Sequence, residues 1–284
     1  EHAPRITTLQ LRYPKFIHGE FMTHRVFSRN ASSSRAIPVE RLIRDVIDDP
    51  VYPSFWGKNQ PGMQAAEEHH SILRVWALDK ARRSATRKEA WDLARGRAVN
   101  MAQDFAKAGY HKQIVNRLLE PFCHINVVVT ATEWSNFFAL RCHKDAQPEM
   151  RLLAEAVRLA MAESEPRALR PGEWHLPYVM RGEEITPMRA LDEWTRTLIK
   201  ASVARCARVS YMTHDGRAPA LADDLALYDR LVAAVPLHAS PAEHQATPDE
   251  EVTDVRNQRW RSPELHGNLR GWVQFRKTLP GECQ

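Results

Sequence analysis

No apolar run in the sequence approaches the ~18 consecutive residues that a membrane span needs, and the charged-then-apolar opening of a secretory signal is missing too. Glu1 stands where a methionine would begin a chain, which predicts a trimmed start, and the expected location is the cytoplasm. Cysteine is scarce. Cys123, Cys142, Cys206 and Cys283 form no C-x-x-C pair and match no zinc spacing, so reduced, mostly buried thiols are expected. H-E-x-x-H is absent, and the adjacent His69 and His70 point different ways on a helix, so no metal site is predicted. Blocks of Lys or Arg are lacking as well. The net charge of +5 is spread over scattered arginines, which suits anionic ligands from nucleotides to dinucleotides without choosing among them.

What remains is an ordinary globular composition, 43% hydrophobic and 26% charged over 284 residues, enough for a sizeable core. Alternation at Leu9, Leu11 and Tyr13 predicts a strand near the start, and the β-branched run Ile125–Thr132 predicts the best buried strand. Trp91, Ala94, Ala98, Ala102 and Phe105 share one helical face that Gly109 would stop. Met150, Leu153, Val157 and Met161 mark a second helix from about Pro148 to Ala162. Others are expected near Leu191–Ala207, following Asp192, Trp194 and Leu198, and near Leu221–Ala234. Residues 50–64, rich in Pro, Gly and aromatics, read as an ordered loop, and 163–190, with four prolines, as a long connector.

The most unusual segment runs from Thr23 to Arg35. It packs three arginines, a histidine, an asparagine and four serines into thirteen residues. A phosphate ester needs converging donors, and guanidinium forks, hydroxyls and loop amides supply them. A polar surface loop would have the same local composition. His24 and Arg25, followed after seven residues by Ser33 and then by Arg35, resemble the Arg-His-Arg-x7-Ser signature of flavin-dependent thymidylate synthases, with Thr23 in place of the first arginine. Three further segments resemble the same family: Asn136-Phe137-Phe138-Ala139-Leu140-Arg141 with Gln147 and Glu149 downstream, Ala207-Arg208-Val209-Ser210, and His238-Ala239-Ser240-Pro241-Ala242-Glu243-His244. The last two follow the arginine-rich loop here and precede it in most members. The resemblance is therefore to a longer, rearranged branch found in phages and some bacterial pathways, nucleoside-antibiotic synthesis among them. It covers residues 13–36, 117–150 and 205–244.

The resemblance implies a mixed α+β fold of thymidylate synthase-complementing-protein type, a twisted antiparallel sheet with long helices, in a single permuted domain over 1–284 that assembles as a homotetramer. It implies FAD as cofactor, with methylene-tetrahydrofolate and NADPH as cosubstrates, and methylation or hydroxymethylation at C5 of dUMP or UMP. His24, Arg25, Asn30, Asn136, Ser210, Ser240 and Glu243 would meet the flavin. Glu20, Ser33, Arg35, Arg117 and Arg141 would meet the nucleotide. Arg141 and His238 carry the catalytic assignment: a guanidinium fixed against the uracil stabilises charge built up by attack at C5, and His238 would sit where folate stacks. The Ser240-to-Glu243 run also reads as a helix start with an acid in its first turn.

Thr23, Glu20 and Ala31 depart from the family pattern, and a missing acid at position 31 leaves more room beside the sugar, which predicts tolerance of UMP. Two rivals differ in class. Pro121-Phe122-Cys123-His124 resembles the Pro-Cys-His nucleophile motif of cysteine-dependent thymidylate synthases, split here by Phe122. The basic charge could instead serve nucleic acid, but neither an arginine stripe with stacking aromatics nor a known module occurs. Neither nucleic acid nor membrane is an expected partner.

Overall fold

In the computed structural model, residues 3–76, 81–179, 192–209, 217, 219–232, 234, 237–252 and 259–282 are described. The chain begins with β1 (Thr7–Pro14), a helical turn α1 (His18–Phe21), and β2 (Ser28–Ala31), then α2 (Val39–Asp48). A small hairpin of β3 (Leu73–Trp76) and β4 (Arg82–Ala85) leads into the long α3 (Arg87–Lys107) and the short α4 (Lys112–Val115). Next come β5 (His124–Ala131), α5 (Ser135–Arg141) and α6 (Pro148–Glu163). The remainder supplies α7 (Glu193–Arg208), α8 (Leu221–Val232), and the hairpin of β6 (Ala246–Pro248) with β7 (Trp272–Gln274).

The organising element is β5. It lies between β1 and β2, antiparallel to both, in the order β1-β5-β2. Pairing on both edges satisfies its backbone, which suits the uncharged, β-branched sequence Ile125–Ala131. Because successive side chains alternate across a strand, Ile125, Val127, Val129 and Ala131 pack with Leu11, Tyr13, Phe137, Met150 and Val157 of β1, α5 and α6. The opposite face takes the C-terminal layer. Val128 packs with Cys206 and Val209 at the end of α7, and Thr130 bonds His244. A second cluster joins α2, α3 and α4 around Val46, Ala102, Val115 and Leu119.

Local chemistry fixes the helix ends. Thr86 and Glu89 form a reciprocal capping box at the start of α3. At its end the Gly109 N–H bonds Ala106 O and the Tyr110 N–H bonds Phe105 O, with the two rings 4.9 Å apart. That is a Schellman stop, and Gly109 takes φ +85° without a Cβ penalty. Gln147 caps α6 ahead of Pro148, and Asp192 caps α7 through the Thr195 N–H.

The four helices legible in the sequence are present at 87–107, 148–163, 193–208 and 221–232. Their faces differ in detail: Ala94 is exposed and Val99 takes its place in the core, and Trp194 stays 40% exposed where Leu198 is buried. No described helix is long and apolar enough to cross a membrane. The fold is mixed α+β, with antiparallel sheets and long helices, as the family resemblance implies.

Candidate active site

The arginine-rich segment folds as a tight turn followed by β2. The Thr23 and His24 amides close onto Glu20 O and Phe21 O, and the Phe27 amide onto His24 O. Arg29 Nη1 donates to the carbonyls of Met22 (2.9 Å) and His24 (3.0 Å), so the turn is tied from within. The His24 ring is 6% exposed, stacked on Phe27 and edge-on to Phe137 at 5.0 Å. Its Nε2 accepts the Nε–H of Arg141 at 2.9 Å, and Arg141 Nη2 donates to Thr23 Oγ1 at 3.2 Å. Burial, then the Arg141 and Arg29 guanidiniums, push the His24 pKa down to about 4, so the ring is neutral and able to accept.

Arg141 faces a groove of about 1710 Å³, whose lining includes Phe16, Glu20, Phe55, Gln147 and Glu149. That volume exceeds the ~300–1,000 Å³ of a usual small-ligand pocket. Glu149 is buried and accepts from the Ser54 amide (2.6 Å) and hydroxyl (2.9 Å), with Gln147 donating to its other oxygen. The acid therefore pins the proline-rich loop over the groove. Asn136 lies on the exposed side of α5.

The sheet brings the other matched segments to the same strand. In β2, Ser28 and Asn30 point toward the C-terminal layer: Asn30 Nδ2 donates to Cys206 O at 3.2 Å, beside the Ala207–Val209 stretch. The turn Ser240–Glu243 packs against β2. It is a single 3-10 turn in which no side chain caps the amides, so a longer helix does not start there. Glu243 pairs with Arg276, and Gln274 Nε2 holds its carbonyl at 3.0 Å. Burial raises the Glu243 pKa, opposed by Arg276, Arg29 and Ser28. Ser240 and His238 are exposed, and Ser210 lies outside the described residues. The preceding Val209 is buried with φ +56°, a left-handed conformation that costs a β-branched residue ~1–2 kcal/mol.

A third group of candidates lies on the loop after β2. Ser33 and Arg35 are exposed, with the Arg35 amide donating to Ser33 Oγ at 3.2 Å. Asn116 holds this loop through Ser34 O (2.6 Å) and Ile37 O (3.0 Å), which sets its exposed neighbour Arg117 next to it. Arg25 is likewise exposed. Cys123 is different in kind: it is 4% exposed, its thiol is pushed up to about 11 by burial, and its Sγ leans on Glu120 O at 3.5 Å. It is built as a core residue.

Three features here were not read from the sequence: Thr23 and His24 as acceptors for Arg141, Arg29 as the tie of the turn, and Arg276 as the partner of Glu243. Only the spacing Ser28-x-Asn30 across Arg29, a short alternating strand, could have signalled that Ser28 and Asn30 share a face.

The profile of the thymidylate synthase complementing protein family matches residues 2–167, more than half of the chain. The chain belongs to that family. As a thymidylate synthase complementing protein it is a methyltransferase of the thymidylate synthase type. Solved structures similar to part of it include two of one enzyme. One is a UMP/dUMP methylase, PolB, from Streptomyces cacaoi bound with 5-Br dUMP, with 19% identity over 56% of this chain and 67% of that one, and a TM-score of 0.34. The other is the same enzyme bound with 5-Br UMP, with 19% identity over 56% and 69%, and a TM-score of 0.35. Among curated proteins, none matches the sequence.

Proposed function

We propose that this member of the family methylates C5 of a uridine monophosphate, using FAD, methylene-tetrahydrofolate and NADPH. The observation that carries the reading is Arg141: a guanidinium anchored on one edge by two neutral acceptors, at the wall of a groove large enough for a dinucleotide. Attack at C5 places negative charge on the pyrimidine, and a cation held in advance stabilises it without reorganising. The reading needs no sulfur nucleophile, in keeping with the buried, high-pKa Cys123.

The donor set fits a flavin. Arg25 supplies an exposed cation, Asn136 an exposed amide, and Ser240 and His238 exposed polar groups, while Asn30 and Glu243 join β2 to the C-terminal layer. Bound FAD would supply the hydride and relay the one-carbon unit. Around it, Arg25 would balance negative charge on the ring or pyrophosphate, and Ser33, Arg35 and Arg117 would hold the nucleotide phosphate. His238 would face the folate, and Ser210 would join the flavin side. Glu20, at the groove wall, would meet the base.

We read 1–284 as one domain in which the family's segments are permuted, because both faces of the same sheet are covered from the two halves of the chain. A homotetramer acting in the cytoplasm completes the proposal, with room beside the sugar at Ala31 for UMP as well as dUMP. The test is to incubate the protein with FAD, NADPH, methylene-tetrahydrofolate and either UMP or dUMP, and to identify the nucleotide by mass spectrometry. A 5-methyl product from both nucleotides is expected. An unchanged nucleotide, with flavin bound, would overturn the activity, and a strict dUMP requirement would overturn the sugar argument.

A further inference from the structure

The contacts of Arg141 have a direction. Thr23 Oγ1 donates its own hydrogen to Glu20 O at 2.7 Å, so the lone pair left over faces Arg141 Nη2. His24 Nε2 accepts from Arg141 Nε, which places the ring hydrogen on Nδ1. Phe27 and Phe137 clamp that ring, and Arg29 ties the His24 carbonyl. A guanidinium has five N–H donors. Two are spent on this edge, and the rest remain for the groove.

We propose that Thr23 and His24 are positioning residues for Arg141, a two-point acceptor cradle that sets the angle of its guanidinium in the groove. The proposal rests on the reading of Arg141 as the group that meets the nucleotide. It also accounts for the departure at position 23. An arginine there has no acceptor to offer and would set a like charge beside Arg141, whereas threonine turns the same position into a hydrogen-bond partner. His24 thereby serves the substrate side of the site through Arg141.

Two readouts test this separately. In the full-length protein, long-range nitrogen–proton NMR of His24 is expected to show a neutral ring with hydrogen on Nδ1 at pH 7, and Arg141→Met is expected to raise the His24 pKa. Hydrogen on Nε2, or a titration indifferent to Arg141→Met, would overturn the pairing whether or not the protein methylates anything. In turnover, His24→Phe keeps the ring packing but removes the acceptor, and kcat is expected to fall by about 10–100-fold, the worth of one charge-assisted hydrogen bond. FAD affinity should stay within about threefold, because the lost contact is to Arg141 and not to a cofactor. His24→Gln, which restores an acceptor, and Thr23→Ser should recover most of kcat, whereas Thr23→Arg should not. A loss of FAD affinity in His24→Phe that matches the loss of turnover would make His24 a flavin ligand and overturn the proposal. Absence of methylation in the unaltered protein would overturn the proposed function alone, since the NMR result still decides the cradle.

Discussion

Acidification from pH 7 to pH 5 should unfold this protein more readily than its carboxylates alone would explain. Three histidines are held neutral inside it. His24 is lowered to about 4 by burial, Arg141 and Arg29, and His175 to about 4 chiefly by burial. His244 is lowered to about 3 by burial and then by His175. The last two join through a hydrogen-bonded chain, His175 Nε2 to Thr8 Oγ1 (2.7 Å), to Thr130 Oγ1 (2.6 Å), to His244 Nδ1 (2.8 Å), across β1 and β5.

In the unfolded chain each ring takes a proton near 6.5, and in the folded chain only near 3 to 4. Between those values the unfolded state binds more protons, so stability is present above 6.5 and drains away as pH falls. Each histidine removes about 2 kcal/mol between pH 7 and 5, and the three together about 6 kcal/mol. That approaches the whole ~5–15 kcal/mol of a typical protein. Glu243 acts in the opposite sense, since its raised pKa favours the folded state as protons are added, and it offsets part of the loss. Urea midpoints followed by circular dichroism at pH 7, 6 and 5 measure the decline. His244→Asn cannot titrate and should flatten the decline by about 2 kcal/mol. A midpoint constant across this range would refute the buried neutral histidines.

Two other outcomes are tied to single contacts. Asp224 is fully buried and bonds both Arg205 (2.8 Å to Nε) and Arg208, linking α7 to α8; Asp224→Ala removes the carboxylate that pairs with these two guanidiniums and should cost about 3–5 kcal/mol by chemical denaturation. A loss under 1 kcal/mol would mean the triad is open to water. Gly109 has open space where a Cβ would be but φ +85°, so Gly109→Ala should cost about 1 kcal/mol from backbone strain alone. A neutral effect would show that the helix stop is not left-handed in solution.

What the sequence discloses, and what it withholds, follows from periodicity. β5 is legible because a strand paired on both sides and buried on both faces needs an unbroken β-branched run, and the long helices because their apolar residues recur every three or four positions. The hairpin β3–β4 is not, because its residues are largely exposed and carry no alternation. The β6–β7 pair joins three-residue strands twenty-three residues apart, held by neighbours such as Gln274 bridging Ser28 and Asn268, which no local pattern announces.

The candidate site divides along the same line. Residue types and spacing identify the four segments, while their convergence on β2 and β5 comes from strand pairing. Asn30 reaching Cys206 and Glu243 lying against β2 are contacts across more than 170 positions of sequence. The sequence reading gives His24 a place beside a cofactor. The structure shows a ring packed between Phe27 and Phe137 that accepts from Arg141, a relation visible only once α5 is docked on the turn.

Whether charge or sulfur activates the uracil in the proposed reaction is decided most directly by the turnover of Cys123→Ala with flavin bound. Because the thiol is buried, its pKa high and the reacting ring assigned to Arg141, the variant should keep kcat within about threefold of the unaltered protein, as expected for a group outside the chemistry. Loss of nucleotide product from a folded, flavin-bound Cys123→Ala protein would contradict the account.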